Sequence, residues 1–251
     1  RVLDHALLSL PLVSTLVQRL ILARLFRVWG TLIHSSVPLL EGLRLSRSTT
    51  SNAYFLGMLD RMIVIGSDCL TRITNWTDRT TCVLFGDGAG AAAIGSQGPG
   101  GILGGWHWGS DGSVGHMLAQ AAGGSRKPAS HETVDANEHT ISMQGGEIFK
   151  NFIAGVRSRK PQDAFDQVDL LISHQANLRI IDATARALKL EPEQVYVNIH
   201  KYGNTSAASI PMALDEALRE GTITPPKTVV LAAFGAGLTW AGMIIRWEKE
   251  S

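Results

Sequence analysis

The chain has 251 residues, 45% hydrophobic and 18% charged, a globular profile long enough for a large core in one or two domains. Its net charge of +1 gives no global field to draw nucleic acid or an anionic membrane. Two cysteines, Cys69 and Cys82, make neither a disulfide framework nor a metal site, so a reducing compartment is the default. Residue 1 is Arg rather than Met, as expected of a fragment or a processed product.

Residues 1–53 are rich in Leu, Arg and Ser, lack Lys, and hold only Asp4 and Glu41 as acids. Gln18, Arg19 and Arg24 interrupt any stretch long enough to cross a bilayer, and Asp4 spoils the basic start of a secretory signal. Three readings fit: an organelle transit peptide, an amphipathic helix over 12–29 with Pro11 at its start, or a wrongly translated or spliced stretch.

From about Tyr54 the texture changes. Met62–Ile65 predicts a buried strand ending at Gly66-Ser67-Asp68. Cys82–Phe85 predicts a second, running into a Gly86-Asp87-Gly88-Ala89-Gly90 loop, with a third over Ala91–Ile94. That loop lacks the Lys-Ser/Thr of a phosphate cradle, and close backbone approach explains its glycines better. Residues 95–138 read as loop-rich, and His107, His116, His131 and His139 lack metal-ligand spacing. Thr140–Met143 reads as a strand and Glu147–Arg157 as a helix. Val168–Ile172 is a buried strand and Ala176–Leu190 a helix leaving it. Val195–Asn198 is strand-like, and Ser206–Glu220 has helical spacing with Ile210, Leu214, Ala217 and Leu218 on one face. Thr228–Phe234 and Trp240–Trp247 form a closing hairpin about Gly235-Ala236-Gly237. Strands alternating with helices give an α/β protein.

His174 and Asn204 thus fall where a strand ends and a helix begins, the place where ligand crevices open in α/β folds. Two neutral donors there suit a developing negative oxygen. By spacing alone, a structural role explains a lone histidine at a strand end better than a catalytic one, and a helix N-cap accounts for Asn204 or Thr205 with no chemistry at all.

Six stretches carry a more specific signal. They are Val64-Ile65-Gly66-Ser67-Asp68, Trp76-Thr77-Asp78-Arg79, Leu84 to Gly90, Ser173-His174-Gln175-Ala176-Asn177-Leu178-Arg179-Ile180, Gly203 to Ser209, and Phe234 to Trp240. In this order they resemble the C-terminal part of the beta-ketoacyl-acyl-carrier-protein synthase III family, over residues 54–248. The resemblance implies a thiolase-like fold, a layered α/β sandwich with its N-terminal half largely missing or replaced. Residues 1–53 then form an atypical segment, 54–98 the tail of the N-terminal half and 99–251 the C-terminal half. It also implies a homodimer and a Cys–His–Asn triad. That triad transfers an acyl group from coenzyme A and condenses it with malonyl-acyl-carrier protein, with no cofactor or metal beyond these substrates, to initiate fatty acid synthesis.

By this resemblance His174 and Asn204 stabilise the enolate formed on decarboxylation, and Ala236 offers a backbone N–H to the oxyanion hole. Arg79 lies by the coenzyme A adenine. Gly145, Gly146, Phe149 and Asn177 line the pantetheine tunnel, and Arg179 meets acyl carrier protein. Bacterial cytoplasm and plastid stroma both suit the family; nucleic acid and membrane are not among its partners.

The nucleophile position falls at Leu40, and no Cys precedes Cys69. Cys69 and Cys82 read as small core residues. The segment 150–168 is about six residues short, more than one and a half helical turns. A chain built this way is expected to form no acyl-enzyme, to fold weakly and to expose a large apolar patch. A different thiolase-fold condensing enzyme, and a non-catalytic homologue that binds coenzyme A or carrier protein or regulates a partner, are the competing readings.

Overall fold

The computed structural model describes residues 61–95, 100–148 and 168–248, with scattered positions between 14 and 45. The chain divides into two compact units, one of residues 1–64 with 93–98 and one of residues 65–92 with 99–251. In the first, the described positions from 14 to 31 are helical, and the rest of the expected helix over 12–29 lies outside the described residues.

The second unit is built on a four-stranded mixed sheet. Its strands are β3 (Ile102–Ser110), β6 (Leu170–Ser173), β7 (Lys227–Gly235) and β8 (Thr239–Trp247), in the order β3-β8-β7-β6. β6 runs parallel to β7, while β7–β8 and β8–β3 are antiparallel, so the expected closing hairpin is present. Leu170, Leu171 and Ile172 are at most 1% exposed because both faces of β6 are covered. Leu170, Ile172 and Val229 pack on Ala213 and Ala217 of helix α4 (Ser209–Arg219). Leu171, Val230 and Ile244 turn to the opposite face, against Leu188 of helix α2 (Leu178–Leu188), Leu190 and Val195. Alternation along each strand thus feeds two apolar layers. Leu218, expected on the apolar face of α4, is 41% exposed.

Several sequence expectations need correction. Residues 102–110 form a strand rather than loop, because Gly104, Gly105 and Gly109 hide its pattern. A Cβ on Gly109 would run into the Trp240 ring of the facing strand, so glycine is what lets β3 pair there. Residues 82–85 are turn, bridging to Asn204 only at Phe85, and the strand proper is β2 (Asp87–Gly95), paired with β1 (Arg61–Cys69). β1 is not buried: Ile63 and Ile65 are 67% and 69% exposed, and Cys69 is exposed where a core residue was expected. Finally, Val195–Asn198 makes one bridge, to Leu171, and is no strand.

The remaining short elements are β4 (Leu118–Gln120) paired with β5 (Ile141–Met143), helix α1 (His131–Asp135) and helix α3 (Ile199–Tyr202). Residues 145–148 are helical, and the rest of the expected helix over Glu147–Arg157, with the shortened 150–168 segment up to residue 167, lies outside the described residues.

The glycines of the 86–90 stretch bring their backbone close to neighbouring side chains and, at Gly86, to backbone. A Cβ on Gly88 would lie 2.7 Å from Met212 Sδ, and one on Gly90 2.9 Å from Pro211. β2 therefore seats directly on the first turn of α4. The Asp87 carboxylate accepts from Thr71 Oγ1 (2.6 Å) and Thr71 N–H (2.9 Å), which hold the carboxyl below its usual range. Gly86 is the tightest point, since an added Cβ would overlap the Tyr202 carbonyl while Gly86 N–H donates to Asn204 O at 2.9 Å. Gly86→Ala is expected to cost about 1–3 kcal/mol, seen as a lower urea midpoint at unchanged slope.

A cleft holding His174 and Asn204

β6 and β7 are parallel, so their C-terminal ends lie together, and the chain leaves β6 at His174 and β7 at Gly235-Ala236. A cleft of about 650 Å3 opens there, where ligands enter open α/β sheets. His174, Asn204, Asn177, Gly145 and Ala236 all line it, with Leu118, Met143 and Ile148 among its apolar wall.

His174 is half-buried. Its backbone N–H donates to Ala232 O (2.7 Å), extending the β6–β7 ladder by one residue. Its ring stands edge-on to Phe234, centroids 5.9 Å apart, and Nδ1 meets Ser209 Oγ at 2.6 Å. Burial pushes its pKa down from 6.5 to about 4, so the ring is neutral at pH 7. Between pH about 4 and 6.5 the unfolded chain binds a proton that the native site refuses, so this group makes stability rise with pH through that window and level off above it. The rise in urea midpoint from about pH 5 to about pH 7 is expected to shrink in His174→Gln.

Asn204 does not follow a strand, as expected, but the one-turn helix α3 and Gly203 at φ +70°. Its N–H donates to Leu84 O (2.8 Å), and Oδ1 accepts from Ser206 N–H (2.9 Å). The cap-like bond that spacing suggested therefore exists, and it leaves Nδ2 as a donor without a partner among the described residues. A structural and a chemical role coincide in one side chain.

Two motif residues prove to be supports. Gln175, 1% exposed, accepts at Oε1 from the N–H of Asn198 (3.0 Å) and of Ile199 (3.1 Å) and donates through Nε2 to Ser173 O (2.9 Å) and Tyr196 O (3.3 Å). Asp68 accepts from Ala207 N–H at 3.0 Å, tying the end of β1 to the Asn204 loop. Ser209, at the start of α4 and 3% exposed, was missed as a site residue because a serine at a helix start reads as ordinary.

The other expected positions divide. Asn177 caps α2, its Oδ1 accepting from Arg179 N–H at 2.8 Å. Arg179 is exposed on the first turn of α2. Gly146 is exposed beside Gly145 and outside the cleft lining. Arg79 is exposed in the turn after Trp76 and does not line the cleft. Phe149 lies outside the described residues. Neither Cys69 nor Cys82 lines the cleft.

Residues 43–112 match the family described as 3-oxoacyl-[acyl-carrier-protein (ACP)] synthase III, and residues 160–247 match its C-terminal domain. The chain belongs to that family. It is 51% identical over 201 residues to the beta-ketoacyl-[acyl-carrier-protein] synthase III of Caldanaerobacter subterraneus, covering 77% of this chain and 60% of the relative. With the enzyme of the same name from Clostridioides difficile it shares 49% over 197 residues, 76% of this chain and 60% of the relative. Among solved structures, the synthase III of Thermus thermophilus superposes with a TM-score of 0.66 at 37% identity, over 77% of this chain and 61% of that one. That of Pseudomonas aeruginosa gives 0.66 at 31%, over 84% and 66%. The chain thus spans about 60% of the length of these curated synthase III relatives. Its fold is the thiolase-like α/β arrangement of the synthase III family. Among the described residues no helix is long and apolar enough to cross a membrane.

Proposed function

We propose that the cleft binds the thioester of a malonyl group carried on coenzyme A or acyl carrier protein and promotes loss of its carboxylate. The observation that carries this reading is that a neutral His174 and Asn204, whose Oδ1 is engaged by Ser206 N–H, line one cleft beside the β7 end. As the C–CO2 bond breaks, its electron pair moves into the thioester and negative charge appears on the carbonyl oxygen. Neutral donors held in place stabilise that oxygen without reorganising. Protonation of the resulting carbanion by solvent yields an acetyl thioester and carbon dioxide.

Within the family this step belongs to the condensation that starts fatty acid synthesis, with acyl-CoA and malonyl-acyl-carrier protein as substrates and no further cofactor or metal. Ala236 N–H is the proposed oxyanion donor, Asn177 and Gly145 tunnel contacts, and a homodimer the assembly. Arg79, Gly146 and Phe149 keep their proposed coenzyme A contacts by resemblance alone. The relatives named above are bacterial, which favours bacterial cytoplasm over plastid stroma. Full condensation also needs an acyl-enzyme, for which the cleft offers no thiol. Incubation with malonyl-CoA tests the reading: acetyl-CoA and carbon dioxide are expected, and a folded chain that releases neither contradicts it.

The absence of a thiol from the cleft lining also supports a second reading, binding of carrier protein without turnover. Arg179, exposed on the first turn of α2, would contact the acidic partner there. Arg179→Glu is expected to weaken carrier-protein binding at least about tenfold at low salt, with less effect at high salt, measured by calorimetric titration.

A further inference from the structure

We infer that Ser209 is a positioning residue that fixes His174 as the Nε2–H tautomer, so that the ring presents a donor to the cleft rather than a lone pair. The inference follows from counting donors and acceptors around one buried hydroxyl. Ser209 Oγ is buried and has two neighbours in hydrogen-bond range among the described residues, His174 Nδ1 at 2.6 Å and Gln175 N–H at 3.3 Å. The backbone N–H of Gln175 can only donate, so it fills an acceptor position on the oxygen. The hydroxyl proton then has one acceptor, Nδ1, and Nδ1 accepts only when it carries no proton. In a neutral imidazole the proton must therefore sit on Nε2. The opposite tautomer would aim Nδ1–H at the hydroxyl and leave the O–H of a buried serine without an acceptor.

The consequence for chemistry rests on the proposed decarboxylation, but the tautomer itself does not. The Nε2–H form gives the enolate oxygen its donor, whereas the other form would set a lone pair against a negative oxygen. Ser209 begins α4, so the helix that the apolar core holds against β6 also sets the protonation pattern of the site.

Nitrogen-15 NMR of the full chain, with His174→Gln used to assign the ring signals, reads the tautomer directly. The wild type is expected to show Nδ1 unprotonated and Nε2 protonated near neutral pH. An Nδ1–H signature overturns the inference, and this measurement needs no variant of Ser209 to fold. Ser209→Ala is expected to give a mixture of tautomers and a fall of about tenfold in kcat for release of carbon dioxide from malonyl-CoA with little change in KM, while Ser209→Thr keeps the Nε2–H form. An unmixed Nε2–H signal in folded Ser209→Ala also overturns it. A wild type with the Nε2–H form and no release of carbon dioxide would count against the decarboxylation reading alone.

Discussion

Replacing either donor in the cleft is expected to slow loss of carbon dioxide from a malonyl thioester by about 100- to 1,000-fold, the range seen when one oxyanion donor is removed. Asn204→Asp is the sharper of the two variants. A carboxylate at that position still accepts from Ser206 N–H, so the loop keeps its local bond, but the Nδ2 donor becomes a negative charge facing a negative transition state. The variant separates the two roles that coincide in this side chain. If Asn204 acts only as a cap, Asn204→Asp folds and turns over like the wild type. His174→Ala removes the second donor and the edge contact with Phe234, so its effect on rate is read against its melting temperature. Losing both donors is expected to cost little more than losing the more important one, because groups that stabilise one charge act as a unit.

No acyl-enzyme is expected to form when the chain is incubated with acetyl-CoA. Transfer of an acyl group needs a thiolate within reach of the donors that stabilise the tetrahedral oxyanion. Cys69 ends the exposed β1 strand, Cys82 sits in the 79–84 turn, and neither borders the cleft that holds His174 and Asn204. Intact-protein mass spectrometry under native conditions checks this. The unmodified mass is expected, and a stable acetyl adduct that maps to Cys69 or Cys82 and is lost in His174→Ala would contradict it.

The elements around the site were legible because their patterns are strong. Val168–Ile172 is a short continuous apolar run, and the structure buries β6 on both faces as such a run demands. The helices after His174 and Asn204 and the hairpin around Gly235–Gly237 follow from periodicity and turn residues. The glycine-rich strands were legible only in part: Ala91–Ile94 of β2 was read as strand, while the rest of β2 and all of β3 were not. In β2 and β3 a missing side chain is what permits contact with Met212, Pro211 and Trp240, so the position that matters for packing carries no hydrophobic signal. Exposure of β1 was hidden for the opposite reason: its β-branched residues look like core, and a single sequence does not say what covers them.

In the candidate site, His174 and Asn204 stood out, yet spacing alone left structural roles for both open. The geometry sharpens Asn204 by spending its oxygen on the loop and leaving its nitrogen without a partner among the described residues. Gln175 and Ser209 were unreadable as supports because, Ser173 O apart, their partners are backbone groups and a ring nitrogen 21 to 35 residues away. Such contacts exist only once β6 and α4 have packed.

Offering acetyl-CoA and malonyl-acyl-carrier protein together and separating the carrier-protein products tests the account most directly. The predicted result is acetyl-carrier protein with carbon dioxide, lost in Asn204→Asp, and no acetoacetyl-carrier protein. Formation of acetoacetyl-carrier protein would contradict the account, because condensation would then proceed without a thiol in the cleft.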